Sequence, residues 1–321
     1  MKRAEFIYKM SSLMLMNYFE SPVLKLGKSN QVIKIGVVAD VHQDIIHDGF
    51  SRISYFIDQM NEIQPDFIIQ LGDFALPRKQ NQHFLDKWNS FKGVRYHVLG
   101  NHDMRDFGFT KEETMNWWDM KERFYSFDLK DIHFIILDGN DENPKPWTGY
   151  NRYIGDQQLK WLESDLEKTN KPSIIFSHQS LEAKGGIENR LMIQKIMNSH
   201  NSKNGKKSKV IACFSGHHHE DYFKKIDETY FIQINSMSYK WVGDNYQYKR
   251  FPDHIEKTFP MVSRTCPYLE PLFSVIEIDQ KNQTLKVFGN KTTFIPPTPK
   301  DLGIKDHHKM KPTISDLNLT T

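Results

Sequence analysis

Asp40-Val41-His42, Gly72-Asp73, Gly100-Asn101-His102-Asp103, His178 and Gly216-His217-His218-His219 gather residue types that bind hard or borderline metal ions. Imidazole nitrogens suit zinc, iron and manganese, while carboxylate and amide oxygens suit the harder divalent cations. The candidate donors are Asp40, His42, Asp73, Asn101, His178, His217 and His219. No thiolate stands among them, which argues against a closed structural zinc site. Each fragment alone recurs by chance, and a lone histidine such as His178 is more often a satisfied core residue than a ligand. The inference comes from where the fragments fall together.

Each fragment follows a short apolar run that reads as a largely buried strand. Residues 32–39 lead to Asp40 and His42, residues 66–71 to Gly72-Asp73, and residues 94–99 to Gly100-Asn101-His102-Asp103. Residues 173–177 lead to His178, and residues 210–214 to the Gly216 fragment. Between the first two runs, Phe50, Ile53, Phe56, Ile57 and Met60 recur at helical spacing and stop before Pro65. A second helical stretch covers residues 84–91. The resulting βαβαβ order favours parallel strands. In such sheets ligands collect outside the carboxyl ends of the strands, so the seven donors are expected to meet in one crevice.

The remaining pattern predicts strands at 124–127, 132–137, 230–234, 272–278 and 284–288, with an amphipathic helix at 158–166. Long loops are expected at 138–153, containing Trp147 and Tyr150, and at 239–271. Specificity is expected to lie in the first and in the stretch Asn235-Ser236-Met237-Ser238-Tyr239-Lys240-Trp241, whose aromatics more often pack within the protein than stack a base or sugar. Loops of that length are usually functional or disordered. After Phe294 the prolines Pro296, Pro297, Pro299 and Pro312 suggest an extended or disordered tail. No internal repeat or linker divides the chain. The organisation expected is therefore an N-terminal extension (1–30), one catalytic domain (31–295) and a C-terminal extension (296–321).

Composition narrows the class without choosing a function. With 26% charged and 38% hydrophobic residues, the 321-residue chain is ordinary for a globular protein. Its net charge of +3 is spread over interspersed residues, so no nucleic-acid footprint is indicated. Cys213 and Cys266 can form one bridge at most. No apolar run is long enough for a membrane span. Met1-Lys2-Arg3 followed by Leu13-Met14-Leu15-Met16 looks like a weak export signal, which favours an extracytoplasmic location over a cytoplasmic one. The alternative is an ordinary N-terminal helix packed on the domain.

Taken in order, the fragments resemble the motif set of the calcineurin-like metallophosphoesterases: D-x-H, G-D, G-N-H-[DE], H and G-H-x-H. The resemblance runs from about Ile33 to Ser236. It implies an α/β fold, a four-layer α/β/β/α sandwich of two mixed sheets flanked by helices. It also implies two divalent metal ions, manganese, iron or zinc. One ion is assigned to Asp40, His42, Asp73 and His219, the other to Asp73, Asn101, His178 and His217, with Asp73 bridging. A metal-bridging hydroxide would attack phosphorus, with His102 as acid or charge stabiliser and Asp103 orienting its imidazole. His218 occupies the variable position of the last motif.

Departures from the pattern narrow the branch. Protein Ser/Thr phosphatases carry G-D-x-H-G and G-D-x-V-D-R-G, which this chain lacks. Purple acid phosphatases place a tyrosine ligand where Leu76 stands. The chain looks more like the phosphodiesterase branch, so a small-molecule phosphodiester is the expected substrate. A phosphomonoesterase and a non-catalytic interaction module are the alternatives, and oligomeric state is left open.

Overall fold

The structure, a computed structural model, describes residues 32–104, 108–146, 148–203 and 209–321. The suggested export signal and Trp147 lie outside the described residues.

β1 (Val32–Val38) shows how the sequence sets the layers. Ile33, Ile35 and Val37 alternate toward one apolar core, while Val38 faces another. Gly36 lies under α1 (Gly49–Ile63), where a Cβ would sit 2.3 Å from the Met60 sulfur. The predicted helical spacing buries Ile53, Phe56, Ile57 and Met60 on one face of α1. β2 (Phe67–Gln70), α2 (Gln82–Asn89) and β3 (Val94–His97) complete the expected βαβαβ unit, and both strand pairs are parallel.

After α3 (Lys111–Trp117), the chain builds a second sheet from β4 (Tyr125–Leu129), β5 (Ile132–Leu137), β6 (Ser173–Ser177), β7 (Val210–Ser215), β8 (Tyr222–Ile226) and β9 (Thr229–Gln233). Its order is β4-β5-β6-β7-β9-β8. The central pairs are parallel and the two edge pairs antiparallel. α4 (Asp156–Lys168) and α5 (Arg190–Lys203) contribute Leu159, Leu162, Leu166, Ile193 and Met197 to a core with Ile135, Ile175 and Phe231.

β10 (Tyr239–Trp241) pairs with β11 (Thr265–Pro267), and α6 (Asp253–Thr258) lies between them. This corrects the expectation of a loop over 239–271. Three-residue strands are too short to show periodicity, and their partners stand far apart in sequence.

β12 (Ser274–Asp279), β13 (Thr284–Phe288) and β14 (Leu317–Thr320) finish the first sheet, whose order is β14-β13-β12-β1-β2-β3. The expectation of an extended or disordered tail after residue 295 is therefore corrected too. β14 pairs antiparallel with β13, and Ile314 packs in the central core. Asn235 also donates to the carbonyls of Lys311 and Thr313. Prolines break helices but do not prevent a later edge strand.

The two sheets face each other across that core. Phe67 from the first sheet meets Phe134 from the second edge-on, with ring centroids 5.3 Å apart. Helices cover both outer faces, which gives the four-layer sandwich of two mixed six-stranded sheets. No helix among the described residues is long and apolar enough to cross a membrane.

Candidate metal centre

The carboxyl ends of β1, β2, β3, β6 and β7 converge from both sheets, and all seven candidate donors follow them. The backbone there is unusual. Asp40, His42, Asp73, His217 and His219 have φ of 52°, 53°, 52°, 70° and 50°. Aspartate and histidine tolerate this left-handed region better than most residues, yet it still costs about 1–3 kcal/mol each. Cross-links hold it in place. The N–H groups of Asp40 and His42 donate to the Gly72 and Asp73 carbonyls at 3.0 and 2.9 Å. Ser236 and Ser238 donate their hydroxyls to the Asp40 and Val41 carbonyls at 2.8 and 2.7 Å.

Two groups of donors result. Asp40, His42 and His219 form one, and Asp73, His178 and His217 the other, with donor atoms in each group within 4.8 Å of one another. In the first, His219 Nε2 lies 3.1 Å from Asp40 Oδ1 and 3.2 Å from His42 Nε2. In the second, His178 Nε2 lies 3.2 Å from Asp73 Oδ2, 3.1 Å from Asn101 Oδ1 and 3.2 Å from His217 Nδ1. Asp73 Oδ2 is also 3.6 Å from His42 Nε2, so one oxygen faces both groups.

The donor chemistry fits cations. His178 and His219 each direct Nδ1 to a backbone carbonyl, Leu71 at 2.8 Å and Tyr239 at 2.9 Å. An Nδ1–H donated there leaves the Nε2 lone pair aimed at carboxylate and amide oxygens that are themselves acceptors. Acceptors this close repel unless a proton or a cation lies among them. The Asn101 side-chain oxygen faces His178 Nε2, and its buried amide nitrogen has no hydrogen-bond partner among the described residues.

Without ions the carboxylates draw a proton onto His178. Burial opposes its charge, but Asp73 outweighs this and raises His178 to about 9. Burial dominates at His42 and lowers it to about 3. Burial works against the Asp40 and Asp73 carboxylates as well, but His219 holds Asp40 below its ordinary value and His178 holds Asp73 well below.

The candidates outside the two groups take different positions. His102 is half-buried, with its ring 5.4 Å from that of His42 and its N–H donating to Asp73 Oδ1 at 2.7 Å. Asp103, the other residue expected to act in proton transfer, is buried. Its oxygens accept the N–H groups of Asp73, Phe74 and Gly100 at 2.8, 2.6 and 2.8 Å, tying two motif loops together. His218 turns away to Ser180 at 2.9 Å. Leu76 is buried, consistent with its apolar character.

Sequence reasoning placed Ser236 and Ser238 only in a stretch overhanging the metals and missed their bonds to the Asp40 and Val41 carbonyls, as it missed the Leu71 carbonyl. Their partners lie far away in the chain, so no local signal marks them. Tyr239 was singled out only as a loop aromatic. In the fold it is buried against His42, with ring centroids 5.1 Å apart.

Comparison with known proteins agrees with this geometry. The family model for calcineurin-like phosphoesterases matches residues 33–221. A manganese-dependent ADP-ribose/CDP-alcohol diphosphatase of Arabidopsis thaliana is 22% identical over 258 residues, covering 59% of this chain and 80% of that protein. A transmembrane protein with a metallophosphoesterase domain from Bos taurus is 24% identical over 204 residues, covering 56% of this chain and 43% of that protein. Among solved structures, a dimetal phosphatase from Danio rerio superposes with a TM-score of 0.60 at 14% identity, covering 90% of this chain and 98% of that one. That last likeness shows the fold.

Proposed function

The chain belongs to the calcineurin-like phosphoesterase family and is a metal-dependent phosphoester hydrolase that uses two divalent ions, and from that premise we propose that its substrate is a phosphodiester or diphosphate rather than a phosphomonoester. Asp40, His42, Asp73 and His219 hold one ion in this reading, and Asp73, Asn101, His178 and His217 the other. When bound, such ions supply Lewis acidity and make water acidic enough to attack phosphorus near neutral pH. His102, beside His42 at the edge of the centre, serves as the acid for the leaving oxygen.

One observation carries the diester preference. Two basic side chains near the centre are engaged by the protein itself. Arg152 donates to the Gly185 carbonyl and to Glu188, and Lys240 donates to the His218 and His219 carbonyls and to Glu220. A phosphomonoester concentrates two negative charges on the phosphoryl group attacked, whereas a diester or a disubstituted diphosphate carries one there, and these two side chains are already neutralised. Trp241, 38% exposed on the same strand face as Tyr239, offers a rim on which an aromatic or sugar leaving group can rest. The substrate named for the Arabidopsis relative is a diphosphate of this kind.

The test strips the metals, reloads the protein with Mn²⁺ and compares bis(4-nitrophenyl) phosphate, 4-nitrophenyl phosphate and ADP-ribose. Chelation should abolish turnover. The diester or the diphosphate should exceed the monoester in kcat/KM by about tenfold or more, equivalent to about 1.4 kcal/mol in the barrier. A monoester turned over as well as both would overturn the preference.

A further inference from the structure

Tyr150 lies on the segment between β5 and α4, and its hydroxyl stands 3.0 Å from Nε2 of His217. The two rings meet edge-on, with centroids 5.4 Å apart and planes at 74°. The other nitrogen of that imidazole, Nδ1, is the one turned into the centre, toward Nε2 of His178. A neutral imidazole carries one ring hydrogen. If Nδ1 presents a lone pair to a cation, the hydrogen sits on Nε2 and is donated to the Tyr150 oxygen.

We infer that Tyr150 is a positioning residue for the metal centre, fixing the tautomer and ring orientation of His217 through its phenolic oxygen. The other histidines make the comparison. His178 and His219 are oriented by backbone carbonyls, Leu71 and Tyr239, which strand geometry provides. His217 instead has a side chain from a separate segment. Partners of this kind, one bond removed from the ion, set ligand orientation and basicity.

The segment holds Tyr150 firmly enough for this role. Asn140 and Tyr153 form a β-bridge, with N–H to carbonyl bonds of 3.0 and 2.9 Å on either side. Next to it, the Arg152 guanidinium lies 5.6 Å from the centre of the Tyr150 ring while bound to Gly185 and Glu188. For Tyr150 the inference assigns a role directed at the protein's own candidate ligand rather than at a substrate base.

The inference rests on the dinuclear reading, and its test separates the two. Metal-stripped wild type and Tyr150→Phe are titrated with Mn²⁺ by calorimetry, and the thermal midpoints of the metal-free proteins are compared. Wild type should take up two ions. In the variant one ion should bind about 10–100-fold more weakly and the other unchanged, with the metal-free midpoint preserved. Unchanged affinity for both ions, equal weakening of both, or a lowered metal-free midpoint would overturn the role of Tyr150 while leaving the centre intact. Wild type that takes up a single ion would overturn the dinuclear reading, and with it the role of Tyr150.

Discussion

Asp73 shows how much one side chain can organise. Its Oδ2 faces His178 and His42, from the two donor groups, and its Oδ1 accepts the N–H of His102. The carboxylate that faces both groups therefore also sets the backbone of the proposed acid. His102 itself belongs to neither group, so the proposal assigns metal binding and proton transfer to different residues. His102→Ala should lower kcat by about 10²–10⁴-fold while the protein still takes up two Mn²⁺ per chain. Metal analysis beside steady-state kinetics checks this. Unchanged turnover would remove His102 from the mechanism, and lost metal would make it a structural residue.

At the scale of elements, the strand ends matter more than the strands. Gly100 shows the constraint. A Cβ there would lie 2.2 Å from the Asp73 nitrogen and 2.3 Å from its Oδ1, because the loops after β2 and β3 touch at that point. Gly72 has a φ of +92° and little room beside His178 Nδ1. The glycines of these motifs thus mark close approach of two loops, and Asp103 binds the same loops through their N–H groups. Gly100→Ala should destabilise the fold by about 1–3 kcal/mol and, on the proposed ligand assignment, weaken Mn²⁺ binding by displacing Asp73. Urea unfolding and Mn²⁺ titration measure the two effects. Wild-type affinity in a folded variant would show that the loops relax without moving Asp73.

For the whole molecule, the division of the candidate ligands between sheets is decisive. The first sheet supplies Asp40, His42, Asp73 and Asn101, and the second supplies His178, His217 and His219. The centre exists only while the sheets stay packed, so anything that loosens the fold loosens the site. His133 is one clamp remote from it, joining β5 to Asp128 of β4 at 2.6 Å and to Asp165 of α4 at 2.8 Å. Burial opposes its charge, but the bonds to Asp165 and Asp128 outweigh this and raise its pKa. Its contribution is fully present below the unfolded value of about 6.5 and fades as pH rises through the higher folded value. His133→Gln should therefore be less stable than wild type at about pH 6 and approach it at about pH 9. Urea midpoints across that range check it, and a gap independent of pH would contradict it.

The sequence by itself determined the candidate donors and the ends of the strands that carry them. Apolar runs of β-forming residues, each closed by Asp, Asn or His, encode both locally. Helix α1 and the parallel order of β1, β2 and β3 were legible for the same reason, since periodicity and alternation act over a few residues. Only the tertiary structure decided what required distant partners. Asp103 accepts from the Asp73 N–H across 30 residues, Tyr150 reaches His217 across 67, and Ser236 reaches Asp40 across 196. The last strand, β14, alternates Leu317 and Leu319 with Asn318 and Thr320, but pairing with β13 decides which sheet it joins. A hydrogen bond between groups far apart in the chain leaves no trace in spacing, because its geometry is set by how two sheets and their loops pack.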